Sequence, residues 1–247
     1  MSEAYSFLTW KFALVFCRAA GLVWAAPVIG SPMVPAPARA ALSLFLALAA
    51  YPLVPESVAA GPLAAAGEVM FGLAAGTAAR LALEAAGFVG GVWDVQAGLG
   101  MANLLDPATG QGVSLLGGLL TFGSAAVFVA GGGVETVLAG LLFSFEALPP
   151  GGPPMVSVAE VWLRVAPAFF ALAVSSALPV VLVLLVVDAF LGITGRTAPQ
   201  VNVFSIGFAL RLAVLFLVLV AVLPHVLHAV SAAALEWATE FWKGFAG

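Results

Sequence analysis

Charge is what this chain has least of. Only 8% of its 247 residues are Asp, Glu, Lys or Arg, against about 25% in soluble domains, which excludes an ordinary water-soluble globule. Its 12 acidic and 8 basic residues leave a net charge of −4 with no basic cluster, so nucleic acid has no electrostatic footprint to bind. The single cysteine, Cys17, excludes an internal disulfide framework and reads as a small buried hydrophobe. Signatures of chemistry are missing too. The run GGGVE at 131–135 lacks the Lys and Ser/Thr of a phosphate-cradling loop, and no serine stands in a nucleophile elbow. His225 and His228 lie three apart on one helix face, but no second pair of ligands accompanies them, which favours a polar contact or interfacial packing over a metal site. Neither catalysis nor a cofactor is expected.

Apolar sequence fills the place of all this. Hydrophobic residues make up 63% of the chain and the mean hydropathy is +1.17, so the expected class is an all-α integral membrane protein forming one membrane-embedded unit over 1–247. About six apolar helical segments can be drawn, at 10–29, 40–55, 62–83, 113–145, 160–187 and 201–230, each able or nearly able to cross a core about 30 Å thick. The second is short, and the fourth and sixth are overlong. Gly131, Gly132 and Gly133 split the fourth, and Pro224 can kink the sixth. Such broken and uneven segments suit a bundle sheltered by protein better than six plain rods in lipid.

Proline-rich stretches punctuate the segments: PVIGSPMVPAPARA after the first and LPPGGPP at 148–154 read as tight, stiff turns. The N-terminus starts its charges with Glu3, and Arg18 interrupts the apolar stretch, so it reads as a retained first helix rather than a signal peptide. Trp237, Phe241 and Trp242 beside Glu236, Glu240 and Lys243 suit an interfacial helix end. Arg39, Arg80 and Arg196 near alternate turns favour both termini outside the cytoplasm.

Two regions stand out against this background. Glu68, Gly72, Gly76, Arg80 and Glu84 recur every four residues and form one ridge of the third helix. Charges on that ridge are costly in hydrocarbon, roughly 2.5–3.5 kcal/mol at mid-membrane, and Gly72 and Gly76 allow a close backbone approach. The ridge therefore faces protein or water, either as a helix–helix contact within the chain with Arg80 and Glu84 paired one turn apart, or as a contact to another subunit or a channel wall. The second region is ANLLDPATGQGVSLLGG at 102–118, with an Asp-Pro step and several glycines between apolar runs. By its residue types it reads as a surface turn with a helix cap from Asp106, Thr109 or Ser114. A small-solute transporter is the rival reading of the intramembrane charges and broken helices, although the two halves show no internal repeat.

Five stretches occur in an order that resembles a known family: APVIGSPMVP at 26–35, GEVMFGLAAG at 67–76, MANLLDPATGQ at 101–111, LPPGG at 148–152 and TAPQVNVFSIGF at 197–208. Together they resemble the FliR family of flagellar export-gate proteins, with the homologous injectisome SctT family as the alternative. Ala209 stands where the family often has Pro, and AGGGV stands where many flagellar members have Asn-Gly-His. VPAPARAALSL and FSIGF favour the flagellar branch, while EAAGF and the Asp94–Gln96 pair resemble the injectisome branch.

The resemblance implies a non-catalytic subunit of a helical multi-subunit export gate in the bacterial inner membrane, at the flagellar basal body. The implied partners are FliP-like and FliQ-like gate subunits, FlhB-like and FlhA-like export proteins, the basal-body ring, membrane lipid and unfolded protein substrates. The chain would resemble a FliP-like part, roughly 1–185, followed by a FliQ-like part, 186–247. The resemblance also implies that the loop after the third segment plugs the pore. Here that loop is Gly98 to Gly118, centred on Met101, Asn103, Asp106, Pro107 and Gly110. Met101, Leu104 and Leu105 would seal it with adaptable apolar contacts, and Asp106-Pro107 and the glycines would keep it irregular. Asn202 and Phe204 either line the pore beside the plug, with Phe204 as a gasket, or simply start the sixth helix after Pro199.

Overall fold

The computed structural model describes residues 2–55, 61–99, 114–151, 155–197 and 203–245, without the side chains of 2–9, 155–157 and 203–205. Seven α-helices are present among them: α1 (Ser2–Ala25), α2 (Ala36–Ala50), α3 (Pro62–Ala97), α4 (Leu115–Ala130), α5 (Gly133–Ala147), α6 (Met155–Thr197) and α7 (Val203–Lys243). No strand occurs among the described residues. Four stretches, Ala36–Leu53, Pro62–Ala97, Val158–Thr197 and Ile206–Lys243, are long and apolar enough to cross a membrane. The bent pair α4–α5 makes a fifth if it is one span. The six expected segments are recognisable in this set, the fourth being divided into α4 and α5 where Gly132 takes a left-handed φ of 76°. The third is much longer than 62–83, running to Ala97 through GFVGGVWDVQA. The helix α7 continues through Pro224.

Two compact units are built from interleaved parts of the chain. One comprises Met1–Ala82, Phe128–Ala168 and Ala232–Gly247; the other comprises Leu83–Val127 and Phe169–Ser231.

In the first unit, small residues set the spacing of α1 against α3. A Cβ on Gly72 would strike the Arg18 carbonyl and the Leu22 amide, and one on Gly21 would strike the Val69 carbonyl. Glycine at these positions lets two backbones touch, as small-residue motifs do in membranes. Elsewhere in the unit, Phe71 of α3 meets Phe241, Trp242 and Phe245 at ring-centroid distances of 5.6, 6.3 and 5.2 Å, and Gly140 of α5 leaves room for the Trp242 indole. Trp237, Phe241 and Trp242 are buried. The rings expected at an interfacial helix end thus pack in the interior of the unit. The turn between α1 and α2 is stapled by Arg39, whose guanidinium lies 4.2 Å from the Trp24 ring, while Pro35 and Pro37 open α2 where missing N–H groups cost nothing.

The second unit repeats the device. A Cβ on Gly90 of α3 would collide with the backbone of Leu116 and Gly117 in α4, and Gly87 faces Thr121 one turn away. The buried Trp93 indole donates a hydrogen bond of 3.1 Å to the Ala177 carbonyl of α6, satisfying its one polar atom.

Candidate functional site

The first polar centre grows from one residue that ought not to be where it is. Arg18 lies in the apolar α1, and its side chain and that of Glu68 are both fully buried. Burying a lone charge costs several kcal/mol, on the order of 3–5 in mutational data, unless it is paired and hydrogen-bonded. Here Arg18 Nε donates to Glu68 Oε2 at 2.5 Å. Arg18 Nη1 donates to the Ser144 carbonyl at 2.9 Å, to Ser144 Oγ at 3.2 Å and to the Leu148 carbonyl at 3.0 Å. The guanidinium carbon sits 4.9 Å from the Phe71 ring centre and 4.7 Å from that of Phe145. The second Glu68 oxygen, Oε1, accepts the Gly151 amide at 2.9 Å. One ion pair thus ties α1 and α3 to the end of α5 and to the LPPG turn.

The expected ridge divides at this point. Glu68, Gly72 and Gly76 face α1 within the chain: a Cβ on Gly76 would lie 2.7 Å from the Leu22 carbonyl. Arg80 is half-buried and Glu84 exposed, and both take part in further interactions.

The second centre surrounds the end of α3. Gly98, with φ of 84°, terminates that helix, its amide donating to the Val95 carbonyl at 3.1 Å while the Leu99 amide donates to the Asp94 carbonyl at 2.9 Å. This pairing of bonds is the glycine-terminated helix end known as the Schellman motif. The Asp94 side chain, almost fully buried, turns to the beginning of α4. Its Oδ2 accepts the Ser114 hydroxyl at 2.6 Å, and both oxygens accept the Leu116 amide at 3.3 and 3.2 Å. Ser114 Oγ in turn accepts the Gly117 amide at 2.8 Å. Ser114 is therefore a helix cap, as its residue type suggested, and a negative carboxylate sits at the N-terminus where the helix dipole favours it.

The plug residues Met101, Asn103, Leu104, Leu105, Asp106, Pro107 and Gly110 lie outside the described residues, as does Asn202; Phe204 falls in the first turn of α7, its side chain outside them. Arg211 Nε donates to Asp188 Oδ1 at 2.6 Å, joining α7 to α6, with about a third of each side chain exposed. Among the described residues no group of three His, Cys, Asp or Glu side chains is placed to hold a metal. Sequence reasoning singled out Glu68 but missed its partner Arg18, and missed Asp94 as a tie. A lone arginine in an apolar helix was the available signal, since it demands a buried acceptor.

Helices long and apolar enough to span a membrane, backbones drawn together by glycine and buried charges tied within the chain define a class: a polytopic helical membrane protein. Within that class, residues 9–236 match the bacterial export proteins, family 1, and the chain belongs to that family. It is 31% identical over 220 residues to the flagellar biosynthetic protein FliR of Bacillus subtilis (strain 168), covering 85% of this chain and 84% of that one. Identity to the flagellar biosynthetic protein FliR of Escherichia coli (strain K12) is 28% over 215 residues, 84% and 82% of the two chains. The secretion system apparatus protein SsaT of Salmonella typhimurium is 28% identical over 166 residues, 66% of this chain and 63% of its own. Family membership makes the protein a structural component of bacterial protein export and not an enzyme.

Proposed function

We propose that this chain is a non-catalytic subunit of the flagellar type III protein export gate, helping to form and plug the pore through which unfolded substrates pass during flagellum assembly. The observation that carries the reading is the similarity to flagellar FliR proteins along 84–85% of the chain. Similarity to the injectisome-type relatives spans less, 66% for SsaT and 50% for the surface presentation of antigens protein SpaR of Shigella sonnei, which favours the flagellar system over the equivalent injectisome subunit.

In this reading the protein sits in the bacterial inner membrane at the flagellar basal body. FliP-like and FliQ-like subunits cover its apolar helices, and FlhB-like and FlhA-like proteins and the basal-body ring complete its surroundings. Residues 1–185 act as a FliP-like part and 186–247 as a FliQ-like part. The segment around Met101, Leu104, Leu105 and Asp106 plugs the pore, and Asn202 and Phe204 line it. Glu68, Gly72 and Gly76 serve as a helix contact, with Arg80 and Glu84 at the far end of the same ridge. Exposed apolar side chains on α6 and α7, among them Leu182, Val186, Phe190, Leu217 and Val220, support a surface that lipid or partner helices cover.

Gentle purification through a tag on this chain is expected to bring FliP-like and FliQ-like subunits with it; their absence would sink the gate assignment. Deleting residues 103–112 in the assembled complex is expected to raise ion leak. An unchanged leak with normal export would remove the plug. Solute uptake by the purified chain alone would instead favour a small-solute transporter.

A further inference from the structure

We propose that a helix of another subunit docks on the α6–α7 hairpin, bringing a carboxylate to Arg211 and laying its backbone against Gly192. This deepens the gate reading above and rests on it only for the existence of a partner subunit.

Charge in the apolar stretch of the hairpin is confined to one place. Asp188 is the sole Asp, Glu, Lys or Arg of α6 between Arg164 and Arg196, and Arg211 is the sole one of α7 before Glu236. Among the described residues these two side chains make a single hydrogen bond, from Arg211 Nε to Asp188 Oδ1 at 2.6 Å. The contact is end-on. It leaves both Nη groups of the guanidinium without an acceptor among the described residues, where a two-point fork would have engaged both carboxylate oxygens. About a third of each side chain is open, so the unused donors are within reach from outside.

The surroundings select the chemistry of the visitor. Val186, Phe190 and Ile193 of α6 and Ile206, Phe208 and Phe216 of α7 are exposed along the same hairpin, and they call for an apolar cover. Hydrocarbon alone is a poor one, because it offers nothing to the Nη donors. A lipid phosphate would satisfy them only by drawing these apolar side chains into the headgroup layer. A protein helix with an acidic side chain on an apolar face answers both demands, and the larger number of unused donors on Arg211 favours an acceptor of negative charge.

Gly192 marks where that helix lies. It falls one turn beyond Asp188 on the same face of α6, and a Cβ built there would meet nothing within 4 Å. Glycine weakens an exposed helix unless close approach requires it. At Gly21, Gly72 and Gly90 another backbone of this chain fills the space. At Gly192 the same kind of seat stands beside an open ion pair, and the chain does not fill it.

The test is gentle purification of the tagged chain in its complex, with the subunits recovered per chain measured. Gly192→Leu adds bulk where the chain presents no neighbour, so the unfolding midpoint of the purified chain is expected to stay at the wild-type value. Recovery of the docked subunit is expected to fall about tenfold, and to a similar extent in Arg211→Gln, the scale of one hydrogen bond to a charged group. A carbodiimide joins an amine to a carboxylate in contact with it. With Asp188→Asn removing the internal acceptor, the amine introduced by Arg211→Lys is expected to cross-link to an Asp or Glu of another subunit.

Full recovery in both Gly192→Leu and Arg211→Gln, while the wild-type chain brings its subunits, would overturn the docking site and leave the gate reading standing. A cross-link only to acids of this chain would do the same. Anionic phospholipid lost from Arg211→Gln with every subunit retained would assign the face to lipid instead. A wild-type chain that brings no subunit would remove the gate reading and the docking site with it.

Discussion

Two arginine–carboxylate pairs of nearly equal length, 2.5 Å between Arg18 and Glu68 and 2.6 Å between Arg211 and Asp188, sit in opposite circumstances. The first is buried by the chain, with two phenyl rings, two main-chain carbonyls, a serine and a backbone amide around it, while Arg18 Nη2 is buried without a hydrogen-bond partner among the described residues. The second leaves about a third of each side chain open. The helices around them differ likewise: 56% of the apolar window of α3 is buried within the chain, against 28% for α6 and 17% for α7. The first pair is buried and the second half-open, and a bond length alone does not distinguish them.

Breaking the buried pair carries the largest expected effect. Glu68→Ala leaves the Arg18 charge buried without its acceptor and is expected to cost about 3–5 kcal/mol, read as a fall in the thermal unfolding midpoint and in the amount of chain held in the membrane. Replacing both partners, Arg18→Met with Glu68→Met, is expected to recover a large part of that loss, since an apolar pair leaves no stranded charge. A double variant as unstable as the single one would show that the pair is not the source.

Next in size is the packing around it. Gly72→Ala drives a methyl group into the main chain of Arg18 and Leu22, where neither neighbour can swing aside, and is expected to cost about 1–3 kcal/mol. Gly118→Ala in α4 meets nothing within 4 Å and is expected to stabilise by up to about 1 kcal/mol through helix propensity. Equal effects in the same unfolding measurement would contradict the close-approach account.

The smallest effect is expected at the open pair. With both side chains about a third exposed, Arg211→Ala in detergent is expected to change stability by about 1 kcal/mol or less, because solvent screens the pair. The same substitution measured in the assembled complex sharpens the contrast. A cost there no greater than in detergent would mean that nothing of low dielectric covers this face.

Much of the helical layout was legible because two physical signals are local: long apolar runs, and breakers such as Pro35, Pro37 and the 131–133 glycines. The far end of α3 was not. The third apolar segment was drawn only to residue 83, and the close approach of α4 is what explains Gly87 and Gly90 within the helix. The aromatics and charges of the C-terminal helix suited a membrane interface, but nothing in their pattern told that Trp237, Phe241 and Trp242 pack inside the chain. The ridge was legible as a row of residues every four positions, but the identity of its neighbour depends on tertiary contacts that no periodicity encodes. The distance along the chain hid the ties as well: Arg18 and Ser144 are 126 positions apart, and Asp94 and Ser114 are 20 apart.

The aromatic cluster on Phe71 has a consequence in time. Phe241 and Trp242 come from the segment 232–247, while the rest of that unit is drawn from residues before 169. During synthesis, the ribosome makes α1, α3 and α5 long before the rings that fill the space between them. The half-built unit must therefore wait in the membrane with an open seam, its completion timed by the arrival of the later segment.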